Sequence, residues 1–139
     1  MKISIYAGPP IKSLLADDDN RSGRLNTVAE RYSAIVAAHT PAMTEAEWCA
    51  CCDALNGHYM DAGDGLMGVR YAWASVEDCE GLGDKWGVDQ SALVARLRAL
   101  PLADAVALAE VVQRFWRRTD LPMSEALAAA GARVSGDAQ

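Results

Sequence analysis

A strand with nothing nearby to pair with constrains this chain more than any other feature. Its first seven residues, Met1-Lys2-Ile3-Ser4-Ile5-Tyr6-Ala7, alternate polar and apolar side chains, the period of a half-buried strand. Gly8-Pro9-Pro10 ends that pattern, and proline in a first helical turn favours a helix start. Almost everything downstream reads as helix. A strand cannot satisfy its own backbone, and no second strand is evident nearby. The economical partner is another copy of the chain, with two Met1–Ala7 segments pairing antiparallel about a two-fold axis. Ile3 and Ile5 then face a dimer core, while Lys2, Ser4 and Tyr6 form two adjacent polar rows. The major groove of DNA admits such a two-stranded ribbon, and side chains of these types reach base edges there.

The helical spacing that follows predicts a mainly α fold. Ile11, Leu14 and Leu15 give a short amphipathic helix over 9–17, stopped near Asp17-Asp18-Asp19-Asn20. Asn20 or Ser22 is placed to cap the next helix, over 23–38, with Leu25, Val28, Ala29, Tyr32, Ile35 and Val36 on one face. His39-Thr40-Pro41 ends it, and 39–43 reads as a linker. Thr44 and Glu47 fit a capping box ahead of a helix carrying Trp48, Cys52 and Leu55, which ends before Asn56-Gly57. A loop at 61–65 precedes a helix over 66–81, with Leu66, Val69, Trp73 and Val76 at 3-4-3 spacing. The glycines from Gly81 to Gly87 mark a break containing Trp86. Asp89 caps a helix over 90–99, and Pro101 separates it from a strongly amphipathic helix over 102–118. A last short helix over 124–130, capped by Ser124 and closed by Gly131, leaves a frayed tail from Ser135. This divides the chain into residues 1–42 and an acidic helical domain of about five helices over 43–139.

Charge separates the same two parts. The whole chain of 139 residues carries −6. Residues 1–42 hold five basic side chains (Lys2, Lys12, Arg21, Arg24, Arg31) against four acidic ones, a net of +1, so the remainder carries −7. Bulk acidity is not the signature of a nucleic-acid binder, but the first part is spared it. With 51% hydrophobic residues a core is attainable and disorder is excluded for most of the chain. No apolar run of signal length precedes Gly8-Pro9-Pro10, and none approaches a membrane span, so a cytoplasmic protein is expected.

The order of these parts resembles the ribbon-helix-helix family of DNA-binding proteins. It is carried by the strand Lys2-Ile3-Ser4-Ile5-Tyr6, the Gly-Pro helix start, and the stretch Asn20-Arg21-Ser22-Gly23-Arg24-Leu25-Asn26-Thr27-Val28-Ala29-Glu30-Arg31-Tyr32. That stretch is similar to the family's second helix, where a capping Ser is followed by apolar residues at +3, +6, +7 and +10, matched by Leu25, Val28, Ala29 and Tyr32. The turn between the helices is shorter than the family's and carries three aspartates. The resemblance implies a homodimer, possible higher assembly, and double-stranded DNA as partner. It implies Lys2, Ser4 and Tyr6 as base readers, and Asn20, Arg21, Ser22 and Arg24 as phosphate contacts at a helix N-terminus. Ile3, Ile5, Leu25, Val28 and Tyr32 would form the dimer core. The expected function is sequence-specific DNA binding as a transcriptional repressor, without catalysis or cofactor. The same pattern fits an antitoxin, whose second part would hold a toxin, or a plasmid partition or mobilisation accessory protein. From the residues alone, a protein-binding module whose strand only dimerises it stays open.

Other candidates are weaker. Cys49, Cys51, Cys52, His58 and Cys79 lack the two spaced pairs of a zinc site, so packed thiols and no metal are expected. Asp61 and Asp64 sit in a glycine-rich loop without the ligand series of a calcium site. His39 and His58 have no spacing that suggests a catalytic dyad. Trp48, Trp73, Trp86, Phe115 and Trp116 read as core anchors, and the adjacent pair Phe115-Trp116 cannot both centre one helix face.

Overall fold

The computed structural model describes residues 8–17, 19–55, 73–118 and 120–136. The expected strand, with Lys2, Ile3, Ser4, Ile5 and Tyr6, lies outside the described residues. So do His58, the loop at 61–65 and the first part of the helix expected over 66–81. The described chain is mainly helical and packs as two units, Met1–Ala34 and Ile35–Gln139. No helix among the described residues is long and apolar enough to cross a membrane.

The first unit holds α1 (Pro9–Leu15) and most of α2 (Arg21–His39). Pro9 enters α1 behind an extended Gly8, whose carbonyl accepts the first helical hydrogen bond from Lys12 at 3.0 Å. α2 starts earlier than the apolar spacing alone suggests, because Asn20 provides its cap. The Asn20 Oδ1 accepts from the Gly23 amide at 3.0 Å, and its carbonyl accepts from the Arg24 amide. Gly23 makes this possible, since a Cβ there would stand 2.4 Å from the Asn20 side chain. Ser22 therefore sits inside the first turn, not at the cap expected from the family pattern. Leu15 is the one buried side chain among the described residues of this unit.

The second unit is closed by its ends. Residues 39–43, expected as a linker, belong to its packing: Thr40 and Met43 are each 2% exposed. The Thr40 hydroxyl donates to the Val36 carbonyl and finishes α2. β1 (Ala42–Met43) pairs in parallel with β2 (Arg133–Val134), Ala42 opposite Arg133 and Met43 opposite Val134. The Ser135 amide extends this ladder to the Met43 carbonyl, where the sequence suggested fraying. Trp48 donates its indole N–H to the Arg133 carbonyl, and the Arg133 guanidinium donates to the Ala37 carbonyl.

Between those ends run α3 (Glu45–Ala54), α4 (helical over 73–78), α5 (Leu82–Trp86), α6 (Gln90–Ala99), α7 (Leu102–Trp116) and α8 (Met123–Ala130). The capping box of α3 forms as expected, Thr44 and Glu47 each accepting the other's amide. Asp89 caps α6. The expected break at 81–87 is instead a five-residue helix, entered and left through left-handed Gly81 and Gly87. Gln90 stitches it down. Its amide nitrogen donates to the Val76 and Cys79 carbonyls, and its oxygen accepts from the Gly83 amide. α8 begins after Pro122, so Ser124 lies within it and caps nothing, while Gly131 at φ 89° ends it as expected. The core joins Trp48, Leu55, Leu82, Leu97, Leu108 and Leu127, none more than 1% exposed.

Candidate functional site

The start of α2 gathers four of the residues expected at a nucleic-acid surface. Asn20 is committed to capping, and Arg21 and Ser22 are exposed on the first turn, with Arg24 half-buried behind them. That turn contains no acidic side chain, so nothing within it offsets the positive end of the helix dipole. The first amides of any helix lack intrahelical acceptors; here the Gly23 amide is taken by Asn20. Asp17 and Asp19 precede the cap, and both are exposed.

The apolar face of α2 continues from this end. Leu25 and Val28 are only half-buried, Ala29 is exposed, and Tyr32 and Ile35 are 37% and 48% exposed. Leu25, Val28, Tyr32 and Ile35 recur at 3-4-3 spacing, the seam one helix offers to another. Of the expected dimer-core residues, Ile3 and Ile5 lie outside the described residues. The other three share this face.

The second unit brings together residues the sequence left separate. Cys49, Cys51 and Cys52 are buried on α3 as free thiols, and Cys79 is half-buried. Burial, reinforced by the Glu47 charge and opposed by Arg96, pushes the Cys51 thiol up to about 12. Burial raises Cys52 as well, and it raises Cys49 together with the nearby Glu45 charge. Thiols held neutral in this way are poor nucleophiles and poor metal ligands. Among the described residues no three His, Cys, Asp or Glu side chains gather as a metal-binding group.

His39 contacts Asp104, Nδ1 to Oδ1 at 2.9 Å, a partner invisible in sequence because it lies 65 residues away. Three tryptophans are anchored through their N–H groups: Trp48 on the Arg133 carbonyl, Trp86 on the Asp53 carboxylate, and Trp116 on the Cys52 carbonyl. Phe115 and Trp116 share the interior edge to face, with centroids 5.5 Å apart and Trp116 half-buried. Comparison with protein-family models, curated proteins and solved structures finds no match.

Proposed function

We propose that the chain is a homodimeric, sequence-specific DNA-binding protein of the ribbon-helix-helix kind that acts as a transcriptional repressor. The observation that carries this reading is the state of the first unit. It buries one apolar side chain among its described residues and leaves the Leu25, Val28 and Tyr32 face of α2 half-covered to exposed. A second copy laying the same face against it would supply the missing core. The acid-free, arginine-bearing start of α2 supports a phosphate grip at the same end of that helix. In the proposed mechanism Lys2, Ser4 and Tyr6 of both chains read base edges from a ribbon in the major groove. Arg21, Ser22 and Arg24 fix the register on the backbone, and the acidic second part limits indiscriminate adhesion to DNA.

Selection of bound duplexes from a random pool by the full chain, at moderate salt, tests this. A short palindrome or tandem repeat is the expected product. Binding should weaken steeply with salt, and Arg21→Ala should lower the salt slope by about one phosphate's worth. Lys2→Ala with Ser4→Ala should abolish preference for the selected site and leave the dimer intact. A folded dimer that enriches no sequence would defeat the reading.

A further inference from the structure

The second unit contains a cleft of about 220 Å³ between α3, α5, the end of α7 and the start of α8. Its walls include the rings of Trp86, Phe115 and Trp116 and the thiol of Cys52. The N–H groups of both tryptophans are already donated, to Asp53 and to the Cys52 carbonyl. The rings therefore offer apolar surface rather than hydrogen bonds. Two charged side chains complete the lining, Asp53 and Arg118, and they differ in commitment. One oxygen of Asp53 accepts both from the Lys85 ammonium at 2.8 Å and from the Trp86 indole at 2.9 Å. Arg118 is exposed and has no carboxylate partner among the described residues.

Aromatic rings beside a carboxylate often receive a cation. Here that place is filled from within, because the Lys85 ammonium sits on Asp53 and 5.4 Å from the centroid of the Trp86 ring. The unsatisfied charge of the cleft is positive. An apolar cavity of about 150 Å³ accepts benzene in another protein, so this volume suits one or two fused rings.

We infer that this cleft is a binding site for a small aromatic carboxylate, its ring between Trp86, Phe115 and Trp116 and its anion on the Arg118 guanidinium. The site stands within the second unit and does not rest on the DNA-binding reading.

Calorimetric titration of the full chain with benzoate and 1-naphthoate, each beside its neutral carboxamide, tests the assignment. Saturable binding of one carboxylate per chain is expected, about tenfold tighter than the matching amide, the scale of one charge-assisted hydrogen bond. Arg118→Gln, a surface change, should bring the carboxylate to the affinity of the amide. Met123→Trp at the rim and Ala126→Leu from the floor should each weaken both probes by filling the cleft. No saturable binding of either carboxylate, equal affinity for acid and amide, or an unchanged Arg118→Gln variant would overturn the inference. Undiminished binding in a folded Met123→Trp variant would also overturn it.

Discussion

The two units of this chain solve the same problem with unequal means. Ile35–Gln139 builds a closed core of its own, with Trp48, Leu108, Val111 and Leu127 all at 0% exposure and β1 paired with β2, although Ile35, Leu102, Met123 and Val134 stay exposed at its surface. Met1–Ala34 is less apolar, and although α1 and α2 carry Ile11, Leu14, Leu15, Leu25, Val28 and Tyr32, only Leu15 is buried among its described residues, at 9%. The difference follows from size. Below about 40 residues a chain rarely buries enough surface to stand without a disulfide, a metal or a second subunit. The first unit is shorter than that, and the four cysteines of the chain all lie in the other unit. The proposed dimer would cover the apolar face that this unit leaves open.

The sharpest way to test this contrast is to damage each unit where it should matter most. Trp48→Ala removes the largest fully buried side chain of the second unit together with its bond to the Arg133 carbonyl. Urea unfolding should show a loss of about 3–5 kcal/mol, the cost of deleting a core aromatic ring. Val28→Asp should leave that transition nearly unchanged, because Val28 is only half-buried in one chain. It should instead weaken self-association by about a hundredfold in sedimentation, the effect of placing an unpaired carboxylate in an apolar contact. A wild-type chain that stays monomeric at all concentrations, or a Val28→Asp variant that dimerises normally, would mean the first unit needs no partner and the contrast is false.

How far the sequence reaches also differs between local and distant features. The capping box at Thr44 and Glu47, the Asp89 cap and the Gly131 stop were legible because each signal lies within one helical turn. α7 was legible because its long apolar face repeats at helical spacing. The start of α2 was ambiguous between Asn20 and Ser22, and only the space left by Gly23 decides for Asn20. β1 and β2 are two residues each, too short for any period to register. α5 likewise hides between two glycines. The cleft was not legible at all: Cys52, Asp53, Trp86, Phe115 and Arg118 come from distant stretches and meet only through packing. The proposed readers Lys2, Ser4 and Tyr6 rest on strand alternation and resemblance, outside the described residues.

A smaller effect separates the units by pH. Cys51 and Cys52 are buried on α3, and the first unit contains no cysteine. Their thiols are raised in the folded state, Cys51 from 9.0 to about 12, chiefly by burial. The stability they contribute is complete below the ordinary thiol value and is lost as pH climbs from there toward the folded value. Stability of the second unit should therefore fall by up to about 1.4 kcal/mol per pH unit for each such thiol. Unfolding midpoints measured from pH 8 to 11 check this, and Cys51→Ala should flatten the decline.

The smallest expected effect concerns Asp53, and its size is informative. The hydrogen bond from Lys85 lowers its carboxyl below the ordinary value of 3.8, helped by the Trp86 N–H and opposed by partial burial. The linkage therefore runs opposite to that of the thiols: its stabilisation is present above the ordinary carboxylate range and disappears as pH falls through the folded value. Lys85 is 61% exposed, so water screens most of the attraction. Asp53→Asn should cost only about 0.5 kcal/mol at neutral pH, with the difference from wild type vanishing in acid. The second unit would barely register the change, because its stability resides in buried rings and aliphatic side chains. The cleft would register it more, since Lys85 released from Asp53 adds a second free cation beside Arg118. An Asp53→Asn chain that is as stable as expected and binds benzoate more tightly would place the role of Asp53 in the charge of the cleft rather than in holding the fold.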